Sequence, residues 1–175
     1  MKTILVLILT ISTLSYGQTK AEPKKAALSI ESYVKSVDNL TLEAALELAK
    51  QVNKTANSLN KNVSIAILDA SGIPILMMRG DGAGPHNTEA ARRKAFTALS
   101  TKTPTLLLLR NADANPDTKN LNTLPELLLL SGGAPIWFKG NVIGSIGVAG
   151  GGSAENDDLI AKSAAIPELG ITTTK

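Results

Sequence analysis

From Arg79 to Phe96 the chain reads RGDGAGPHNTEAARRKAF, which brings together three glycines, the only histidine, His86, and three consecutive cations, Arg92, Arg93 and Lys94. The chemistry on offer is recognition of an anion, because backbone amides at a helix N-terminus point at a negative group placed there. A phosphate loop would need Gly-Lys-Ser or Gly-Lys-Thr where turn meets helix, and GDGAGP has no such ending. Neither this stretch nor GSIGVAGGG has the G-x-G-x-x-G spacing of a dinucleotide site. With one histidine and no cysteine, the usual zinc and iron ligand sets cannot be assembled within one chain. A Ser-His-acid triad would have to use His86, yet no G-x-S-x-G elbow is present. Asp69, Asp81, Glu89, Asp113 and Asp117 lie in or near expected loops, where each is most simply a turn-former, a cap or a solvated residue.

His86 has two readings. It is either a solvated loop histidine or an imidazole that ligates a haem iron or contacts an anionic ligand. Met77 and Met78 are strand residues in or near a core, with iron ligation the less common role for such a pair. Successive helix positions are about 100° apart, so Arg92, Arg93 and Lys94 cannot all face one ligand. One or two of them could pair with a carboxylate such as a propionate, with Arg79 at the other rim of the loop, and the rest would be a solvated helix face.

These residues must be positioned by the elements around them. Leu42, Ala45, Leu46, Ala49, Val52, Ala56 and Leu59 recur at helical steps behind Thr41, a good N-cap, which predicts a helix from Thr41 to about Asn60. VSIAILD and IPILMMR, separated by ASG, form a β-hairpin. Glu89 to Ser100 is a second helix, with Asn87 or Thr88 as cap, and Pro104 opens a short third helix to about Arg110. NADANPDTKN then reads as a polar loop. ELLLLSGG, APIWFKGN and VIGSIGVAGG are strand signals, the last two joined by a tight turn at Lys139 to Asn141. Small residues on one side of the final strand, Ser145 and Gly147, imply close approach of a helix, a subunit or a ligand. Ser153 caps a last helix. The order favours a five-stranded antiparallel sheet with helices packed mostly on one face, an α/β (α+β) fold, over a doubly wound one.

At the N-terminus, Lys2 precedes an apolar run, Ile4 to Ile11, and small or polar residues ending in SYG, the pattern of a secretory signal peptide over residues 1–17. Residues 18–38 read as a linker, with weak helical character towards Val37, and residues 39–175 as one domain. Such a chain is expected to be secreted or periplasmic after cleavage. The net charge of +3 and the 3% aromatic content argue against a nucleic-acid binder.

The ordered motifs RGDGAGPHNTEAARRKAFTALSTKTPT, AILDASGIPILMMR and SGGAPIWFKGNVIGSIGVAGG resemble the GlcG/HbpS-like haem-binding family. Its members share an Arg-x-Asp-Gly-Ala loop, a Lys-Ala-x-Thr-Ala helix and a Gly-rich terminal strand. The resemblance runs from about Thr41 to Ile166. It implies a profilin-like fold with an antiparallel sheet flanked by helices, and homo-oligomers that are commonly octamers. It also implies haem as ligand, with roles in sequestration, sensing or breakdown. Thr97 of the Lys-Ala-x-Thr segment is an iron-ligand candidate by resemblance alone, beside His86. Met77 or Met78 stand in reserve, and Arg79, Arg92 and Arg93 are candidates for the propionates. The alternatives are an enzyme of the same fold acting on haem or a small hydroxy acid, and an oligomeric interaction or signalling module.

Overall fold

The computed structural model describes residues 30–175, so the expected signal peptide and the start of the linker lie outside the described residues. The chain divides into two units, residues 1–35 and 36–175. The described part of the first holds a 3-10 turn, Ile30–Ser32, in which the Tyr33 and Val34 amides donate to the Ile30 carbonyl.

In the second unit, helix α1 (Leu42–Ser58) begins where Thr41 Oγ1 accepts from the Ala44 amide at 3.2 Å. It buries Ala45, Leu48, Ala49, Val52 and Ala56. Leu42 and Leu46, which share the apolar periodicity, lie outside this stripe and are exposed. Strands β1 (Ser64–Asp69) and β2 (Pro74–Arg79) form the expected hairpin. The Asp69 carboxylate accepts from the Ser71 and Ile73 amides, and Gly72 takes the positive φ of +83° that the turn requires. Helices α2 (His86–Thr101), α3 (Thr105–Ala114) and α4 (Pro116–Lys119) follow, then β3 (Gly133–Phe138), β4 (Asn141–Ala149) and α5 (Ala154–Lys162). None of the described helices is long and apolar enough to cross a membrane.

The sheet is antiparallel, in the order β2-β1-β4-β3. It has four strands rather than five, because ELLLLSGG is not a strand. The outer edge it would need is taken at Trp137, whose N–H donates to the Thr172 carbonyl at 2.7 Å and whose carbonyl accepts from the Thr172 amide. Side chains of α2 hold the backbone of that apolar segment instead: Arg93 Nη2 donates to the carbonyls of Pro125 and Leu127, and Thr97 Oγ1 accepts from the Leu128 amide. The polar stretch expected as a loop is largely helical. Asn115 Oδ1 accepts from the Asp117 amide and Pro116 occupies the first turn of α4, so the Asn-Pro pair is a helix cap rather than a turn.

Helices cover both faces, not mostly one. Ile65, Ile67, Ile136, Ile146 and Val148 form the main core with residues of α1 and α5, such as Leu48, Val52 and Ile160. The alternate residues point the other way, where Ala66 and Ala149 meet Ala91 of α2. There α2 rests on the strand backbone itself. A Cβ at Gly147 would lie 1.9 Å from the Ala91 carbonyl oxygen, and one at Gly133 would lie 2.3 Å from that of Lys94. The small-residue side of the last strand is therefore the seat of a helix.

Candidate functional site

Helix α2 starts at His86, three residues earlier than its periodicity implies. Pro85, with φ −61°, leads into the helix without a side-chain cap, and the Asn87 amide donates to the Gly84 carbonyl. Proline is already set for the first turn and has no N–H to leave unsatisfied. Neither expected cap residue caps the helix; Thr88 Oγ1 lies 3.4 Å from Ser64 Oγ in β1. His86 is thus the first residue of a helix rather than part of a loop.

Three stretches far apart in sequence meet at this end of the sheet. They are Lys61–Ser64 leading into β1, the Gly80–Gly84 loop after β2, and the Gly150–Gly152 turn after β4. Gly80 N–H donates to the Val63 carbonyl and Asn62 Nδ2 to the Asp81 carbonyl, each at 3.0 Å. A Cβ at Gly150 would lie 3.3 Å from both Asn62 O and Asn87 Nδ2, and one at Gly152 would lie 3.2 Å from Lys61 Nζ. The Gly151 amide donates to Asp157 Oδ1 at 2.7 Å, and Asn156 Nδ2 donates to the Gly151 carbonyl. This second glycine turn is thereby held in place from α5.

Charge at this end is positive. Among the described residues, the side chains of Lys61, Arg79 and His86 make no hydrogen bond or ion pair, and Arg79 and His86 are exposed. Asp81 contributes one carboxylate. The first turn of α2 adds amides suited to an anion. Lys61 and Asn62 were not legible as site residues, since they belong to a segment that only the fold brings beside the loop, and Asn87 was legible only as a cap. The triple glycine ahead of the Ser153 cap was the one available signal.

The other sequence candidates are placed differently. Arg92 donates through Nε and Nη2 to Glu89 and through Nη2 to Glu126, at 2.7 to 3.0 Å. Those hydrogen bonds hold the Glu89 carboxyl below its ordinary value and raise the guanidinium further still. With two carboxylates already bound, Arg92 has no charge left for a propionate. Arg93 is spent on the carbonyls of Pro125 and Leu127, and its buried Nε has no partner. Lys94 is buried, with Nζ 2.8 Å from Asp157 Oδ2 and 3.0 Å from the Val148 carbonyl oxygen. The three cations read as a solvated face or ligand contacts are thus structural in this chain.

Thr97 is fully buried; its hydroxyl donates to the Arg93 carbonyl and accepts from the Leu128 amide, both at 2.8 Å. Thr97→Val, which keeps the shape and removes the hydroxyl, should destabilise the fold by about 1–3 kcal/mol through the unpaired Leu128 amide. Urea unfolding measures this, and an unchanged midpoint would mean the hydroxyl does not anchor that segment. Met77 and Met78 are exposed on the edge strand β2. Met77 pairs with Ala66, on the α2 side of the sheet, and Met78 with Ile65, on the α1 side. The structure therefore keeps Arg79 and His86 together around one glycine loop and separates Arg92, Arg93, Thr97 and Met78 from them.

The family model described as "Haem degrading protein HbpS-like" matches residues 40–166. A crystal structure of HbpS from Streptomyces reticuli, a double mutant, is 36% identical with a TM-score of 0.71, covering 83% of this chain and 96% of that one. A crystal structure of a PduOC–heme complex is 28% identical with a TM-score of 0.67, covering 78% of this chain and 99% of the other. The corrinoid adenosyltransferase PduO of Citrobacter freundii is 28% identical over 149 residues, which are 84% of this chain; the chain spans only 44% of that relative.

Proposed function

The chain belongs to the HbpS-like family, and from that membership we propose that it is an exported haem-binding protein whose site is the glycine-lined end of the sheet around His86 and Arg79. One observation carries the placement: the single imidazole and the Arg79 guanidinium flank the same loop, and both lack a partner among the described residues. That donor set fits haem. His86 would supply the iron ligand and Arg79, with Lys61, would pair with the propionates, while the first turn of α2 favours negative charge. Met77 is the reserve ligand on the same side of the sheet. Haem, when bound, supplies an iron centre for storage, sensing or redox work; the chain's own residues bind and orient it. Oligomerisation, commonly seen in proteins this chain resembles, belongs to the same proposal.

Haemin titration of the protein lacking residues 1–17 should give a saturable Soret shift. His86→Ala should change the spectrum of the complex, and Arg79→Ala should weaken binding about ten-fold, the equivalent of one charge-assisted contact. No saturable shift would overturn the haem reading. An unchanged spectrum in His86→Ala would overturn the ligand assignment alone. The family's description as haem degrading favours turnover as a second reading, which product formation from haem with an added reductant would establish and its absence would dismiss.

A further inference from the structure

A second feature lies elsewhere in the fold. The protein's single tryptophan, Trp137, stands opposite a bulge in β4, where Ile143 is left out of the pairing between Ile136↔Gly144 and Trp137↔Val142. Beside it is an open surface pocket of about 490 Å³, lined by Trp137, Pro104, Lys102, Lys162, Lys175 and the threonines at 173 and 174. That volume is within the range of small-molecule sites, roughly 300–1,000 Å³.

The walls are built. Thr172 pairs with the Trp137 backbone, and buried Thr173 donates through Oγ1 to the Lys162 carbonyl at 2.8 Å, which ties the last residues to α5. No lining side chain is acidic. Lys162 is neutralised from behind by buried Asp158, 2.7 Å away, whereas Lys102 has no ion-pair or hydrogen-bond partner for its ammonium among the described residues. Lys175 Nζ stands over the Trp137 ring, 5.3 Å from its centroid, so the half-buried indole already carries a cation beside it.

Lys102 is also unusual in its backbone. It ends α2 with φ +52°, ψ +32°, the left-handed conformation in which helices ordinarily place glycine. A lysine there accepts backbone strain and presents an ammonium to the pocket.

We propose that this pocket binds a conjugated anion, an aromatic ring carrying a carboxylate, sulfonate or phosphate. The ring packs against Trp137 and the acid group is met by Lys102, the lining lysine whose charge is not already spent on a carboxylate. The site is separate from the glycine loops and does not depend on the haem reading. Because Trp137 is the only tryptophan, its emission reports the pocket directly. 4-Nitrobenzenesulfonate, which quenches indole on contact, should quench with saturation, while neutral nitrobenzene should quench only linearly. Lys102→Gly removes the charge in the residue type that takes this φ without strain, so the fold is kept, and it should weaken sulfonate binding at least five-fold. Arg79→Ala and His86→Ala should leave the titration unchanged. Linear quenching by the sulfonate, equal saturation by nitrobenzene, or an unaltered Lys102→Gly titration would each overturn the proposal.

Discussion

Gly147→Ala is expected to destabilise the folded chain by about 3 kcal/mol, the upper end of what overpacking a close-packed interior costs. The new methyl carbon would lie 1.9 Å from the Ala91 carbonyl oxygen and 2.7 Å from the Ala95 amide nitrogen. Both atoms belong to the backbone of α2, so no rotamer change can relieve the clash. The helix would have to rise from the sheet. It cannot do so locally, because it also rests on Gly133, where an added Cβ would meet the Lys94 carbonyl. Lifting α2 would also displace its first turn, and His86 with it. Gly140→Ala is the control: its added carbon meets nothing within 4 Å, although φ of +78° imposes some backbone strain. Urea unfolding of the two variants decides the matter. A Gly147→Ala midpoint no lower than that of Gly140→Ala would show that α2 does not sit on the strand backbone.

Asp157→Ala should be at least as damaging, lowering stability by about 3–5 kcal/mol, because it leaves the Lys94 ammonium buried without its counter-charge. The Lys94 side chain is only 5% exposed, and its remaining bond is to the Val148 carbonyl. Asp157 also accepts from the Gly151 amide, so its loss frees the second glycine turn of the candidate site. The double variant Lys94→Met, Asp157→Leu removes both charges together and should recover much of the lost stability, since apolar residues of similar size replace a buried pair with little penalty. A double-mutant cycle measured by denaturant unfolding gives the coupling between the two groups. Additive effects would show that the pair is not the bond that joins α2 to α5.

Much of the fold was legible from local rules. Thr41 and Ser153 cap their helices through the side chains expected of them, and both hairpin turns follow the sequence, with Lys139 and Gly140 each at positive φ. Two places where local reading failed were decided by tertiary contacts. ELLLLSGG has the composition of a buried strand, but its backbone is bound by the Arg93 and Thr97 side chains of α2, and Thr172 meets the outer edge of β3 at Trp137. The run Arg92-Arg93-Lys94 has the look of a solvated face, but α2 lies on a surface of glycine and alanine so closely that all three side chains are drawn into contacts with the segment 125–127 or with α5.

The sequence by itself determined the class of fold, the caps at Thr41 and Ser153, the two hairpin turns and the family, since periodicity, capping residues and ordered motifs are properties of neighbouring positions along the chain. It also singled out Arg79 and His86. Only the tertiary structure decided which cations are spent internally and which stay available. That choice depends on which side of α2 meets the sheet and on partners more than thirty residues away, such as Glu126, Leu127 and Asp157. Burial converts a charge into a structural bond when a partner is within reach, and the distance to that partner is set by packing rather than by the order of residues.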